Sequence, residues 1–223
     1  MDAFAGELEL LRAENARLRN LLRLTEEESR ASAGDQTAAA VSPVDMESSP
    51  QEKVRFYLDL FACRSDTYAL RWEDTRDGRS GWSPAIRGRW RKGMATSDAS
   101  YLPLTGDVVD RHLRGAHHIG LYPLSDEDTC WWIAADFDGE AAMLDALAYL
   151  KAARAVNIPA ALEVSQSGRG AHVWIFFSQP TPAVSARRIA TGLLTEAIGL
   201  RGRMSLASYD RLFPSQVSAE REY

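Results

Sequence analysis

Trp131-Trp132-Ile133-Ala134-Ala135-Asp136-Phe137-Asp138-Gly139 is the stretch that decides how this chain is read. An apolar run of strand length ends in two acids one residue apart, and a glycine and a helical pattern follow. Side chains alternate along a strand, so Asp136 and Asp138 leave the same face. Like charges at the end of a buried strand are costly unless something positive lies between them, which points to a divalent cation. The alternative is a pair of acids opening a loop, with Asp138 helping to cap the next helix.

Working outward, residues 140–156 carry Met143, Leu144, Leu147, Leu150 and Ala153 in a helical stripe. Three further β-rich runs cover 118–124, 160–165 and 171–177, and a last helix is expected over 185–198. Upstream, 67–73 reads as a strand, Asp77-Gly78 as a turn, 81–85 as the return strand of a hairpin and 108–113 as a short helix. Ser49-Pro50-Gln51-Glu52 is a capping-box pattern with Pro at the first helical position. Val54, Tyr57, Leu58 and Phe61 then share one face. Strands alternating with helices predict an α/β (α+β) domain, a mixed β-sheet with helices on one face.

At 223 residues and 45% hydrophobic content, the chain suffices for one substantial domain with appendages. Three segments are expected: a coiled-coil helix over 1–28, a flexible linker over 29–48 and a catalytic domain over 49–223. Leu8, Leu11, Asn15, Leu18 and Leu22 form the a/d seam of the first, and Asn at an a position favours a parallel dimer. The other reading is a single amphipathic helix packed on its own domain. The second segment is rich in Ala, Ser, Asp, Gly and Pro without apolar periodicity.

A net charge of -5 excludes a protein that coats nucleic acid by bulk electrostatics. Basic residues do cluster locally, at Arg87, Arg89, Arg91 and Lys92 around Trp90 and at Arg187, Arg188, Arg201 and Arg203. Arg87, Arg89, Trp90 and Arg91 would grip a nucleic-acid template by phosphate contacts and base stacking; a solvated basic loop is the other reading. Cys63 and Cys130 are far apart and form no Cys-x-x-Cys pair, so both are expected to be buried thiols. No apolar stretch approaches the roughly 20 residues of a membrane span, and no signal segment opens the chain, so a cytoplasmic location is expected.

Two further elements bear on chemistry. Ser165-Gln166-Ser167-Gly168-Arg169-Gly170-Ala171-His172 sets glycines in a turn between two strands, with Arg169 and His172 nearby. Backbone amides, a guanidinium fork and a serine hydroxyl together suit a triphosphate, although a plain β-turn would use the same residues. Ser208-Tyr209-Asp210-Arg211-Leu212-Phe213 places an acid after the last helix. Alone it reads as a surface ion pair.

In this order, Asp-x-Asp, Ser-Gly-Arg-Gly-x-His and a downstream acid resemble the motif succession of archaeo-eukaryotic primases. Ser80 to Pro84, His118 to Leu124, Asp136 to Gly139, Ser167 to Trp174 and Tyr209 to Gln216 are similar to the primase domain of TOTE conflict systems, a mobile-element and defence branch of that superfamily. The resemblance covers Val54 to Gln216, and the leucine-rich N-terminal helix is similar too. It implies an archaeo-eukaryotic primase-like core in which Asp136, Asp138 and Asp210 hold two Mg²⁺ or Mn²⁺ ions. It also implies that Ser167, Arg169 and His172 contact the phosphates of a nucleoside triphosphate. The implied activity is template-directed nucleotidyl transfer by a primase-polymerase, with a helicase as partner or following domain.

The pattern departs from the family in two places. Residues 87–102 lack the small cysteine cluster that relatives often carry, which excludes a zinc knuckle there, and the tail from Val217 to Tyr223 is expected to be C-terminally truncated. The alternative to an active enzyme is therefore a catalytically silent fragment that binds nucleic acid or dimerises. A metal-dependent nuclease would use the same acids but gives the triphosphate cradle no role.

Overall fold

The computed structural model describes residues 16, 43–74, 78–88, 90, 94–95, 98–165, 168–202 and 208–218. The expected coiled-coil helix lies outside the described residues apart from Ala16, as does the linker up to residue 42.

Among the described residues the elements run α1 (Pro50–Leu60), β1 (Ala69–Asp74), β2 (Arg79–Pro84), α2 (Gly106–Leu113), β3 (Ile119–Gly120) and β4 (Thr129–Phe137). They continue with α3 (Ala142–Ala155), β5 (Ala161–Val164), β6 (Ala171–Pro182), α4 (Ala183–Arg201) and β7 (Tyr209–Phe213). The α/β class with flanking helices is as the sequence predicts, with the strands shared between two sheets. One has the order β2-β1-β3 and the other β5-β6-β4-β7. β1 pairs antiparallel with β2 and β3, and β5 pairs antiparallel with β6.

Local chemistry accounts for most boundaries. Ser49 caps α1 as expected: the Ser49 hydroxyl accepts the Glu52 N–H at 3.3 Å while the Glu52 carboxylate accepts the Ser49 N–H at 2.8 Å. Pro50 stands in the first turn, where its missing N–H costs nothing. Just before it, the Asp45 carboxylate accepts the N–H groups of Glu47 and Ser48, a side-chain turn that leads into the helix. The expected strand 118–124 shrinks to Ile119–Gly120 because Tyr122 gives its carbonyl to the Arg64 N–H and Pro123 has no N–H for a ladder. The strand expected to end at residue 177 runs on to Pro182.

The chain divides into two compact units, one taking Pro43–Ile133, Phe176–Arg188 and Phe213–Tyr223, the other Ala134–Ile175 and Ile189–Leu212. The first is centred on Tyr68, Ala85, Leu104, Val109 and Ile119, against which Val54, Tyr57 and Leu58 of α1 pack. The Phe61 ring meets Phe176 edge-on at 5.6 Å, and the Trp132 indole N–H donates to the Ala62 carbonyl at 3.1 Å.

The second unit is built around Phe137. Its fully buried ring makes tilted edge contacts with Tyr149 at 5.9 Å and Tyr209 at 6.1 Å. Tyr149 satisfies its hydroxyl on the Ala190 carbonyl at 3.1 Å. Of the stripe predicted for α3, Leu150 and Ala153 are buried while Met143, Leu144 and Leu147 are only half-buried, and Ala142, Asp145, Ala146, Ala148, Tyr149 and Ala152 complete the buried face. Small alanines let the helix lie close to its neighbours.

Candidate metal and nucleotide site

Because Phe137 turns into the core, its neighbours Asp136 and Asp138 both turn the other way. β7 lies beside β4 in the sheet and brings in Asp210. One carboxylate oxygen from each of Asp136, Asp138 and Asp210 lies within 4.8 Å of the other two. Asp136 is half-buried; Asp138 and Asp210 are exposed. The three residues singled out in the sequence are thus brought together. Asp138 does not cap the following helix: Ala141 is the N-cap of α3, without a side-chain cap.

Three carboxylates this close repel one another, and two cations answer them. His172 Nε2 lies 3.3 Å from Asp136 Oδ1, and Arg211 Nε donates to Asp210 Oδ2 at 2.6 Å. The other nitrogen of His172, Nδ1, lies 3.2 Å from Glu163 Oε2, which also accepts the Trp174 indole N–H at 2.7 Å. Held between Asp136 and Glu163, the imidazole is pushed up to about 10. His172 in turn holds the Glu163 carboxyl below its usual range. When protonated, His172 donates from both nitrogens and lends the site a positive charge.

Glu163 is a site residue that the sequence reading does not pick out. It stands directly opposite His172 in the β5–β6 ladder, and Trp174 lies two residues further along the same face. Counting the hairpin register back from the glycine turn would have found it.

The turn itself is set by Ser165. Its N–H donates to the Gly170 carbonyl and its hydroxyl accepts the Gly170 N–H, each at 2.9 Å; the Gly168 N–H donates to the Ser165 carbonyl at 2.8 Å. Gly168 takes φ +70°, the left-handed region that glycine enters freely. Gly170 is needed for space: a Cβ there would meet Asp138 Oδ1, the Ser165 hydroxyl and the Phe137 carbonyl. Exposed Arg169 lines a cavity of about 550 Å³ together with Gly139, Glu140, Met143, Gly168 and Gly170. That volume falls within the range of small-molecule sites. Ser167 lies outside the described residues.

In the other unit, Arg87 is exposed, while Trp90 is half-buried and donates its indole N–H to the Pro84 carbonyl at 2.9 Å. Arg89 and Arg91 lie outside the described residues. In the second basic cluster, Arg187 donates to the Pro214 carbonyl at 2.6 Å and Arg201 to Asp145 at 2.8 Å, so both are occupied within the protein. Cys130 is buried as expected, whereas Cys63 is only half-buried; desolvation pushes Cys63 up to about 12 and Cys130 to about 11. No helix among the described residues is long and apolar enough to cross a membrane.

No curated protein matches the chain. Among solved structures, the polymerase domain of Mycobacterium tuberculosis ligase D in complex with DNA aligns with a TM-score of 0.37 at 15% identity over 68% of this chain. The chain spans 64% of that domain's length. Residues 52–222 match the family described as the archaeo-eukaryotic primase domain of TOTE conflict systems. That span takes in every acid, glycine and histidine of the site, and the chain belongs to this family of primase domains.

Proposed function

We propose that the chain carries out metal-dependent, template-directed nucleotidyl transfer, extending a polynucleotide from nucleoside triphosphates. The observation that carries this reading is the meeting of Asp136, Asp138 and Asp210 within 4.8 Å, on elements far apart in sequence. Three carboxylates form a hard, all-oxygen donor set, which fits Mg²⁺ or Mn²⁺. Two such ions, when bound, supply Lewis acidity toward the attacking 3′-hydroxyl and the phosphate oxygens.

The chain's own residues do the rest. Arg169 presents its planar fork to the triphosphate from the rim of the cavity. His172, kept in place by Glu163, serves as a phosphate contact beside the acids. Gly168 and Gly170 keep the turn free of side chains, so its backbone can come close to an anion. Arg87 and the exposed part of Trp90 offer a contact for the template. A cytoplasmic setting, a homodimer through residues 1–28 and a helicase partner belong to the same reading.

The test is template-dependent incorporation with Mg²⁺ or Mn²⁺. The wild-type chain should extend a primer, and Asp136→Ala combined with Asp138→Ala should abolish extension. Unchanged incorporation by the double variant, or a wild-type chain that neither extends nor binds nucleotide with Mn²⁺, would overturn the proposal.

A further inference from the structure

One acid of this unit is fully closed off from solvent and belongs to no part of the site described so far. Asp145, at 0% exposure, stands among buried residues of α3 that are otherwise alanines, Tyr149 and Leu150. An unpaired carboxylate there would be expensive, and both of its oxygens are engaged. Oδ1 accepts Arg201 Nε at 2.8 Å and Oδ2 accepts the Ser208 hydroxyl. Arg201 is the last residue of α4, and Ser208 comes just before β7, two residues ahead of Asp210. Ser208 also gives its carbonyl to the N–H of Asp138.

We propose that Asp145 is a positioning residue for the acid site: by joining Arg201 to Ser208, it fixes the point from which β7 carries Asp210 toward Asp136 and Asp138. The inference rests on the metal reading given above. Asp136 and Asp138 come from one strand and hold their spacing by alternation, whereas Asp210 enters on a separate strand after a connection from α4. The Asp145 clamp takes hold at both ends of that connection, and the Ser208 carbonyl, accepting the Asp138 N–H, ties its far end to the strand that carries the other two acids.

The experiment is a calorimetric titration of the whole chain with Mn²⁺ alone, paired with thermal melts. Ser208→Ala removes one arm and leaves the Asp145–Arg201 pair in place, so it remains informative if Asp145→Asn does not fold. Ser208→Ala should weaken Mn²⁺ binding about tenfold or more, as loss of outer support does at metal sites, and Ser208→Thr, which keeps the hydroxyl, should restore most of it. Tyr149→Phe serves as a control: it deletes a buried hydrogen bond of the same unit outside the clamp, and should lower the melting temperature without changing Mn²⁺ affinity. Equal Mn²⁺ affinity in Ser208→Ala and wild type, or equal weakening in Tyr149→Phe, overturns the positioning role. A wild-type chain that binds no Mn²⁺ instead sinks the metal reading beneath it.

Discussion

A Cβ at Gly170 would stand 2.6 Å from Asp138 Oδ1, so the turn after Ser165 passes the acid with room for a hydrogen and nothing larger. Gly170→Ala must therefore push the turn off the acid or move the carboxylate. Overpacking of this kind costs about 1–3 kcal/mol, and Mn²⁺ binding should fall with it by about tenfold. Gly168→Ala is the contrast: its Cβ would meet nothing, but φ +70° makes any side chain strained, at about 1–2 kcal/mol. The pair separates space from backbone. Melts should show both variants destabilised, and Mn²⁺ titration should show the metal response in Gly170→Ala alone.

Arg169 is exposed and lines the cavity. Its charge-assisted contacts to phosphate are the stronger kind of hydrogen bond, and losing them should weaken triphosphate binding by about tenfold or more. Arg169→Lys keeps the charge but not the fork, and should recover only part of the loss. Titration with a nucleoside triphosphate and Mn²⁺, set beside Mn²⁺ alone, checks this: only the nucleotide step should change.

The unevenness of what the sequence revealed has a physical origin. Asp136 and Asp138 were legible because strand alternation depends on immediate neighbours, and the Ser49–Glu52 cap because it closes within four residues. Asp210 was legible by resemblance alone: β7 is five residues long, and its place beside β4 depends on contacts formed across the whole unit. Asp145 was hidden for a stronger reason. An acid in a helix is ordinarily solvated, and the partners that make burial tolerable lie 56 and 63 residues further along the chain. The stripe of α3 is legible only in part, at Leu150 and Ala153, since alanines that pack closely carry little weight in a hydrophobic pattern next to leucine and methionine. Glu163 lay within reach, one strand from His172, but only once the register of the hairpin was fixed.

The capping box of α1 offers a prediction remote from the site. Ser49→Ala removes the acceptor for the Glu52 N–H and should cost about 1 kcal/mol, whereas Ser49→Asp keeps an acceptor beside the positive end of the helix and should cost little. Glu52 is itself held below its usual range, chiefly by its bonds with Ser49. A urea titration of the three proteins should rank wild type and Ser49→Asp together above Ser49→Ala.

The cysteines carry the clearest dependence on pH. Burial raises Cys130 to about 11 and Cys63 to about 12, so both thiols stay protonated above the ordinary thiol range. Buried Cys130 should resist a thiol-reactive reagent in the native chain and react promptly in denaturant. The effect on stability follows from proton counting. Below the ordinary thiol value near 9 both states are protonated and the cysteines make no difference; above it the unfolded chain releases its protons while the folded chain retains them. Stability should therefore fall as pH rises from about 9 toward 11 and 12. Cys63→Ala together with Cys130→Ala should flatten that part of the pH profile while lowering stability at every pH through lost packing. Fast labelling of Cys130 at pH 8 under native conditions would contradict the burial on which this rests.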